Sequence, residues 1–420
     1  MPCWSRSAKK RGSNSARLTT DPVLTRILRY SRKVFGLGHR LERLGDDRKK
    51  PQIPAARFYK ALFLLFLCRL PSLQALEGYR FQPALRRFLR GGMPCIDQIA
   101  NVSETANLQD LRALLQGLYR QLGRNKVLRA LHGHRLAVVD GHEINCSYKR
   151  CCPACQQREL TVNGQPRIQY YHRAVIFQLV GPGFRLLLDF ELLGPHDDEG
   201  AAALRLVQRV IATQPRCFDI LLGDGLYPQA RFFKLLRRYH KHALMVLKDE
   251  RRDLLKDARA VFTSAPTRCY RQGRTTYRCW DEAHFTSWDS YPHGVRVVRS
   301  LETHTPPGTP TAVTREWIWV TTLAQDEVPT RTIVLFGHER WRIENEGFNE
   351  LATYWHADHY FHHHPVSIAA FWLMLFVAHA LFHCFLRNLQ PARRHGHSLM
   401  HWAELIKAEF VLGLWHFSSA

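Results

Sequence analysis

HRLAVVDG, residues 134–141, is a short apolar run closed by a carboxylate and a glycine. DILLGDG, residues 219–225, repeats that grammar and places Asp224 84 residues beyond Asp140. Apolar runs this short, rich in Val, Leu and Ile and bounded by turn formers, read as buried strands. Between them lies RAVIFQLVGPGFRLLLDFELL (173–193), two apolar runs joined by Gly181-Pro182-Gly183, which reads as a hairpin. Asp198–Thr213 has helical periodicity, with Asp197 and Asp198 as candidate caps. Tyr227–His240 is helical in pattern, and HALMVLK (242–248) is a further strand. The order strand, hairpin, helix, strand, helix, strand predicts a mixed α/β sheet with helices on its faces.

On either side the pattern differs. From Ala55 to about Ala130 apolar residues recur at three and four, predicting helices broken at Pro71-Ser72 and Gly91-Gly92, with Asn107 as a cap. Arg80, Arg86, Arg87 and Arg90 give this region a basic face, either a DNA contact or a solvated one. Residues 260–335 alternate polar and apolar and contain THTPPGTPT, which cannot be helical, so a β-rich insertion is expected. Helical pattern returns at Val334, and the apolar run Val366–Leu386 and then Leu399–Phe417 are the last two helices.

Sixty Lys and Arg against 36 Asp and Glu leave a net charge of +24 and a pI near 9.9. An excess of this size is self-repulsive unless a polyanion binds, and nucleic acid is the usual one. Residues 1–50 alone hold fourteen Lys and Arg against four Asp and Glu, a basic arm running into a first helix near Pro22–Phe35. Eleven cysteines, with no apolar leader in residues 1–20, favour reduced thiols and a cytoplasmic setting over a disulfide framework. Val366–Leu386 is long enough to span a bilayer but carries His379 and His383, and it reads as a buried helix with no membrane partner.

Asp140 and Asp224 each end a strand and precede a glycine, and they emerge side by side if their strands are neighbours. In FGHERWRIENEGFNELATYW (336–355), Arg340, Glu344 and Phe348 stand four apart on one helical face. Phe348 then anchors that face, Glu344 joins the two aspartates, and Arg340 reaches a phosphate; the alternative is a plain surface ion pair between Arg340 and Glu344. Three carboxylates suit hard divalent cations. Two Mg²⁺ ions (or Mn²⁺) about 4 Å apart can activate the attacking oxygen and stabilise the leaving oxygen of a phosphodiester.

RWRIENEGFN (340–349) resembles the segment around the last catalytic glutamate of cut-and-paste transposases of bacterial insertion sequences. That family carries the signature Tyr-x2-Arg-x3-Glu-x6-Lys on a helix after a β-rich insertion in a ribonuclease-H-like domain. VVDG (138–141), LLGDGLY (221–227) and VLK (246–248) follow the family's order, and the resemblance spans about residues 130–385. Here the signature Tyr falls on Gly337 and the Lys on Leu351. The resemblance implies Asp140, Asp224 and Glu344 as catalytic ligands of two Mg²⁺, nicking at element ends, and strand transfer into target DNA by a homodimer. DNA contacts are expected at Arg340, Arg342, Lys248 and Trp288, although Trp288, like Trp280, Trp317 and Trp319, is equally a core candidate.

The expected fold is a ribonuclease-H-like mixed α/β sheet with a β-rich insertion, flanked by an α-helical N-terminal domain and C-terminal helices. The corresponding organisation is a basic arm and first helix (1–50), a helical DNA-binding domain (51–130) and the catalytic core (131–259 and 336–390). The insertion (260–335) interrupts that core, and a C-terminal helix (391–420) follows it. A transposase-derived DNA binder without turnover, or a metal-dependent nuclease that does not join, carries the same motifs. Separately, Cys152-x2-Cys155, with Cys146 and His172 nearby, is half of a tetrahedral site and makes Cys152 and Cys155 candidate ligands of a structural Zn²⁺; the alternative is reduced thiols in a loop. His356, His359, His362, His363 and His364 lack a partner pattern and read as a surface or interface cluster.

Overall fold

The computed structural model describes residues 21–417 apart from 250–251, 307, 310, 360 and 390–395, so the arm at 1–20 lies outside the described residues. Among the described residues ten strands form one sheet. They are β1 (Leu136–Ser147), β2 (Gln156–Val162), β3 (Gln165–Gly181), β4 (Phe184–Leu192), β5 (Ile220–Gly223), β6 (His242–Val246), β7 (Arg268–Gln272), β8 (Thr275–Phe285), β9 (Val295–His304) and β10 (Val313–Thr321). Their order is β2-β3-β1-β5-β6-β10-β9-β8-β7, with β4 also paired to β3. β1, β5 and β6 are parallel neighbours and the other pairs are antiparallel, which is the mixed ribonuclease-H-like sheet expected. The parallel centre is covered on both faces, so β5 is buried throughout and its sequence does not alternate.

The region expected as an insertion is not set apart from the core. β10 pairs antiparallel with β6 (Trp319↔Val246), so β7–β10 extend the central sheet. Had β6 been the last strand, its unpaired backbone groups would have lain exposed at the edge; β10 covers them.

The helices are α1 (Val23–Phe35), α2 (Leu37–Glu42), α3 (Ala55–Leu67), α4 (Leu73–Glu77), α5 (Pro83–Leu89), α6 (Ile96–Glu104), α7 (Leu108–Arg124), α8 (Glu199–Thr213), α9 (Ala230–Arg238), α10 (Asp253–Val261), α11 (Thr330–Glu339), α12 (Asn349–Trp355), α13 (Pro365–Asn388) and α14 (Leu399–Val411). Asn107 caps α7 as its sequence suggests, its side-chain oxygen accepting from Gln109 N (3.0 Å) and Asp110 N (3.1 Å). Apolar α13 is a core helix: 94% of its most hydrophobic window is buried. It packs against α1, α3, α6, α7 and β4, which joins the helical layer to the sheet in one continuous core. Each fully buried Leu or Phe side chain on it contributes about 1.5–3 kcal/mol. The first turn of α1 is closed from the far end of the chain. Glu409 on α14 accepts from Val23 N (2.8 Å) and Leu24 N (2.6 Å), satisfying helix-end donors that Pro22 cannot cap.

Candidate active site

β1 and β5 run parallel in the register Leu136↔Ile220, Ala137↔Leu221, Val138↔Leu222. Carried two steps further, that register sets Asp140 level with Asp224 on adjacent strands. The 84-residue interval is thus the register offset itself. One detail differs from the sequence reading. Asp140 lies inside β1 rather than at its end, because β3 continues to pair with that strand through Ser147. Asp224 does follow directly on β5, and its Oδ1 accepts from Leu226 N (2.9 Å), which starts the turn.

Glu344 arrives from the segment after α11. Residues Ile343–Phe348 form a π-helical turn instead of one regular α-helical face. Gly347 lets that turn lie against β3, since a Cβ there would stand 2.7 Å from Gln178 Oε1. Phe348 anchors the turn by stacking on His142, two residues beyond Asp140, with ring centroids 4.5 Å apart. Arg340 is buried and aimed inward rather than at solvent. Its Nη1 donates to Asp140 Oδ2 (3.1 Å) and to Glu344 Oε1 (2.6 Å). The buried Asp140 carboxylate needs a counter-ion, so the guanidinium expected at a phosphate instead joins two of the three carboxylates.

Both departures from the family signature have packing causes. A Cβ at Gly337 would lie 2.4 Å from Trp319 Cε2, so the β10 indole fills the place of the signature Tyr. Leu351 is fully buried, and a lysine there would put its ammonium into the core.

A fourth carboxylate, for which the sequence carries no expectation, lies close enough to act on Asp140. Glu199, the first residue of α8, accepts from Arg173 Nη2 (2.7 Å) and from the Tyr227 hydroxyl (2.8 Å). It presses on Gly141 so closely that a Cβ there would meet Glu199 Oε2 at 2.2 Å; glycine serves this approach rather than a turn. Asp197 and Asp198 read as caps, and Asp198 is one, its Oδ1 accepting from Ala201 N (2.8 Å). Three successive acids exceed what a cap needs, and that was the available signal.

The electrostatics follow from this crowding. Burial pushes the Asp140 carboxyl up to about 7; Arg340 pulls it down, while Asp224, Glu344 and Glu199 push it further up. Burial and the neighbouring Glu199, Asp140 and Asp224 likewise raise the Tyr227 phenol well above its ordinary value. Four carboxylates therefore face two guanidiniums, an all-oxygen donor set with surplus negative charge that fits a hard divalent cation. The carboxylates are not drawn tightly together. Among the described residues only two other groups of metal-type side chains close to within 4.8 Å, and Arg340 already stands between Asp140 and Glu344. One of those groups, Glu350 with His379 and His383, is an internal ion-pair network. Arg185 Nη2 holds the second oxygen of Glu350 at 2.5 Å, and Trp355 Nε1 donates to the first at 3.0 Å.

The remaining expected residues divide. Lys248 is exposed and lies along Gly225 beside Asp224. Arg342 is turned to Glu339 (2.8 Å) and Glu346 (3.2 Å), because three glutamates share its helical segment. Trp288 is half-buried and edge-on to Phe233 of α9 (4.8 Å), so it works as packing. Cys152 and Cys155 come together with His172 and also with His363, drawn from a cluster read as surface.

No curated protein matches the chain. A family model described as Transposase DDE domain matches residues 131–381, from just before β1 into the last turns of α13. That match takes in more than half of the 420 residues and all four carboxylates of the cluster, and the chain belongs to the transposase DDE domain family.

Proposed function

We propose that this transposase cleaves DNA at the ends of an element and joins the freed 3′-hydroxyl to target DNA, with Asp140, Asp224 and Glu344 holding the divalent metal. The observation that carries this reading is the parallel register of β1 and β5, which carried two steps further sets Asp140 level with Asp224, with Glu344 tied to Asp140 through one guanidinium. Members of this family generally use divalent metals, and bound Mg²⁺ or Mn²⁺ supplies Lewis-acid stabilisation of phosphoryl oxygens and an activated water or hydroxyl. Arg340 holds Asp140 and Glu344 towards a common point and screens their repulsion. Glu199 positions Gly141 and Tyr227 behind them. Lys248 and the exposed Arg80, Arg86, Arg87 and Arg90 offer cations for backbone phosphates. A homodimer on paired ends and a cytoplasmic setting complete the reading.

The test uses duplexes taken from the DNA flanking the coding region, incubated with purified protein and Mg²⁺ or Mn²⁺. Joined strand-transfer product is expected. Nicks without joining would instead make the protein a nuclease, and a retarded band without cleavage would make it a DNA binder. Asp140→Asn should bind and not cut; cleavage retained in that variant removes Asp140 from the site.

A further inference from the structure

Cys152 and Cys155 lie in the connection between β1 and β2, His172 lies on β3, and His363 lies just ahead of α13. Folding brings one donor atom from each to within 4.8 Å of all the others. Cys155 Sγ is 3.7 Å from Cys152 Sγ, 3.4 Å from His172 Nε2 and 3.2 Å from His363 Nε2. Cys152 Sγ is 3.4 Å from His172 Nε2. A tetrahedral zinc with sulfur at about 2.3 Å and nitrogen at about 2.0–2.1 Å requires edges of about 3.7 Å between sulfurs and about 3.5 Å between sulfur and nitrogen. These four separations stand close to those edges, and the two that remain, from His363 to Cys152 and to His172, lie within 4.8 Å.

The turn that carries the sulfurs is formed by the backbone. Cys155 N donates to Cys152 O (3.0 Å), and Cys152 N donates to Cys155 Sγ (3.2 Å), a contact that partly offsets the burial that pushes the metal-free Cys155 thiol up. Cys155 and His172 are buried, at 2% and 1% exposure. Two thiolates and two neutral imidazoles cancel a divalent charge, so a filled site places no net charge in the interior.

We infer that Cys152, Cys155, His172 and His363 bind one structural Zn²⁺ that staples the β1–β2 connection and β3 to the start of α13. Soft sulfur donors in a tetrahedral S2N2 set select zinc and reject Mg²⁺, and four protein ligands leave no position open for substrate. The site is therefore distinct from the carboxylate cluster. It bears on that cluster mechanically. His172 pairs with Asn145 on the strand that carries Asp140, and the staple ties that strand across 208 residues of sequence to the helix at the centre of the core.

The full chain, purified from zinc-supplemented culture and desalted, should carry about one zinc per molecule by elemental analysis. Cobalt exchanged into it should give the visible bands of a tetrahedral ion together with a thiolate-to-metal charge-transfer band. Cys155→Ser and His363→Ala should each lower retained zinc about tenfold or more, whereas Asp140→Asn should keep it. Wild-type protein that retains less than about a tenth of an equivalent, or Cys155→Ser protein with undiminished zinc, overturns the inference. If the cysteine variant does not fold, the wild-type cobalt spectrum decides: bound cobalt without the charge-transfer band also overturns it.

Discussion

Replacing Asp140 by asparagine should stabilise the metal-free protein, and increasingly so as pH rises. In the folded chain Asp140 holds its proton up to about 7, against an ordinary value of 3.8, because it is buried among other carboxylates. Between those values the folded state binds the proton more tightly than the unfolded state, so this group lowers stability as pH increases. At about 1.36 kcal/mol per pH unit the full cost is about 4 kcal/mol, reached near pH 8 and absent below about pH 4. Asparagine has no such titration, so the stability gap between variant and wild type should widen by about 2–3 kcal/mol from pH 5 to pH 8. The attraction of Arg340 acts on the ionised carboxylate and is already contained in that raised value. The assay is urea unfolding of both proteins in EDTA across that range, repeated with Mg²⁺, which should stabilise wild type more than the variant and narrow the gap. A gap that does not change with pH would refute the argument that Asp140 is a strained, proton-holding carboxyl.

Glu199→Gln removes one of the negative charges around Asp140, so the Asp140 carboxyl should titrate below about 7 by ¹³C NMR; an unchanged midpoint would exclude Glu199 from the site's electrostatics. Gly337→Tyr, which restores the family residue, should cost about 1–3 kcal/mol or more by overpacking against Trp319, and Trp319→Ala in the same chain should recover part of it in thermal melts. Glu350→Ala leaves Arg185 with Glu346 alone and strips the acceptor from Trp355, for an expected loss of about 3–5 kcal/mol in chemical denaturation. A loss under about 1 kcal/mol would mean that the network carries little of the fold.

The central sheet was readable because strand order and the Asp140–Asp224 interval are properties of the chain itself, and the parallel register converts that interval into proximity. What stayed hidden depends on who meets whom in three dimensions. Nothing local to α8 distinguishes Glu199, which turns inward to Arg173 and Tyr227, from Asp198, which caps the helix. The direction of Arg340 depends on how deeply Asp140 is buried, a consequence of β3, α8 and the π-helical turn packing against β1. The π-helical turn at Glu344 lies against Gln178 of β3, a neighbour that the local sequence does not reveal. His363 looked unpartnered because its partners lie about half the chain away. The β-rich region was legible as strands, but its fusion to β6 was not, since alternation specifies faces and says nothing about edges.

The closure of α1 by Glu409 has a consequence for the order in which the molecule can be made. Val23 and Glu409 are 386 residues apart. A ribosome adding about 5–20 residues per second leaves the first helix without its cap, and the α3 and α7 faces without α13, for roughly 20–80 s. During that interval the nascent helical layer presents apolar surface to solvent and to chaperones. Chains cut short before α13 should therefore be clients for proteolysis rather than stable fragments of the finished protein.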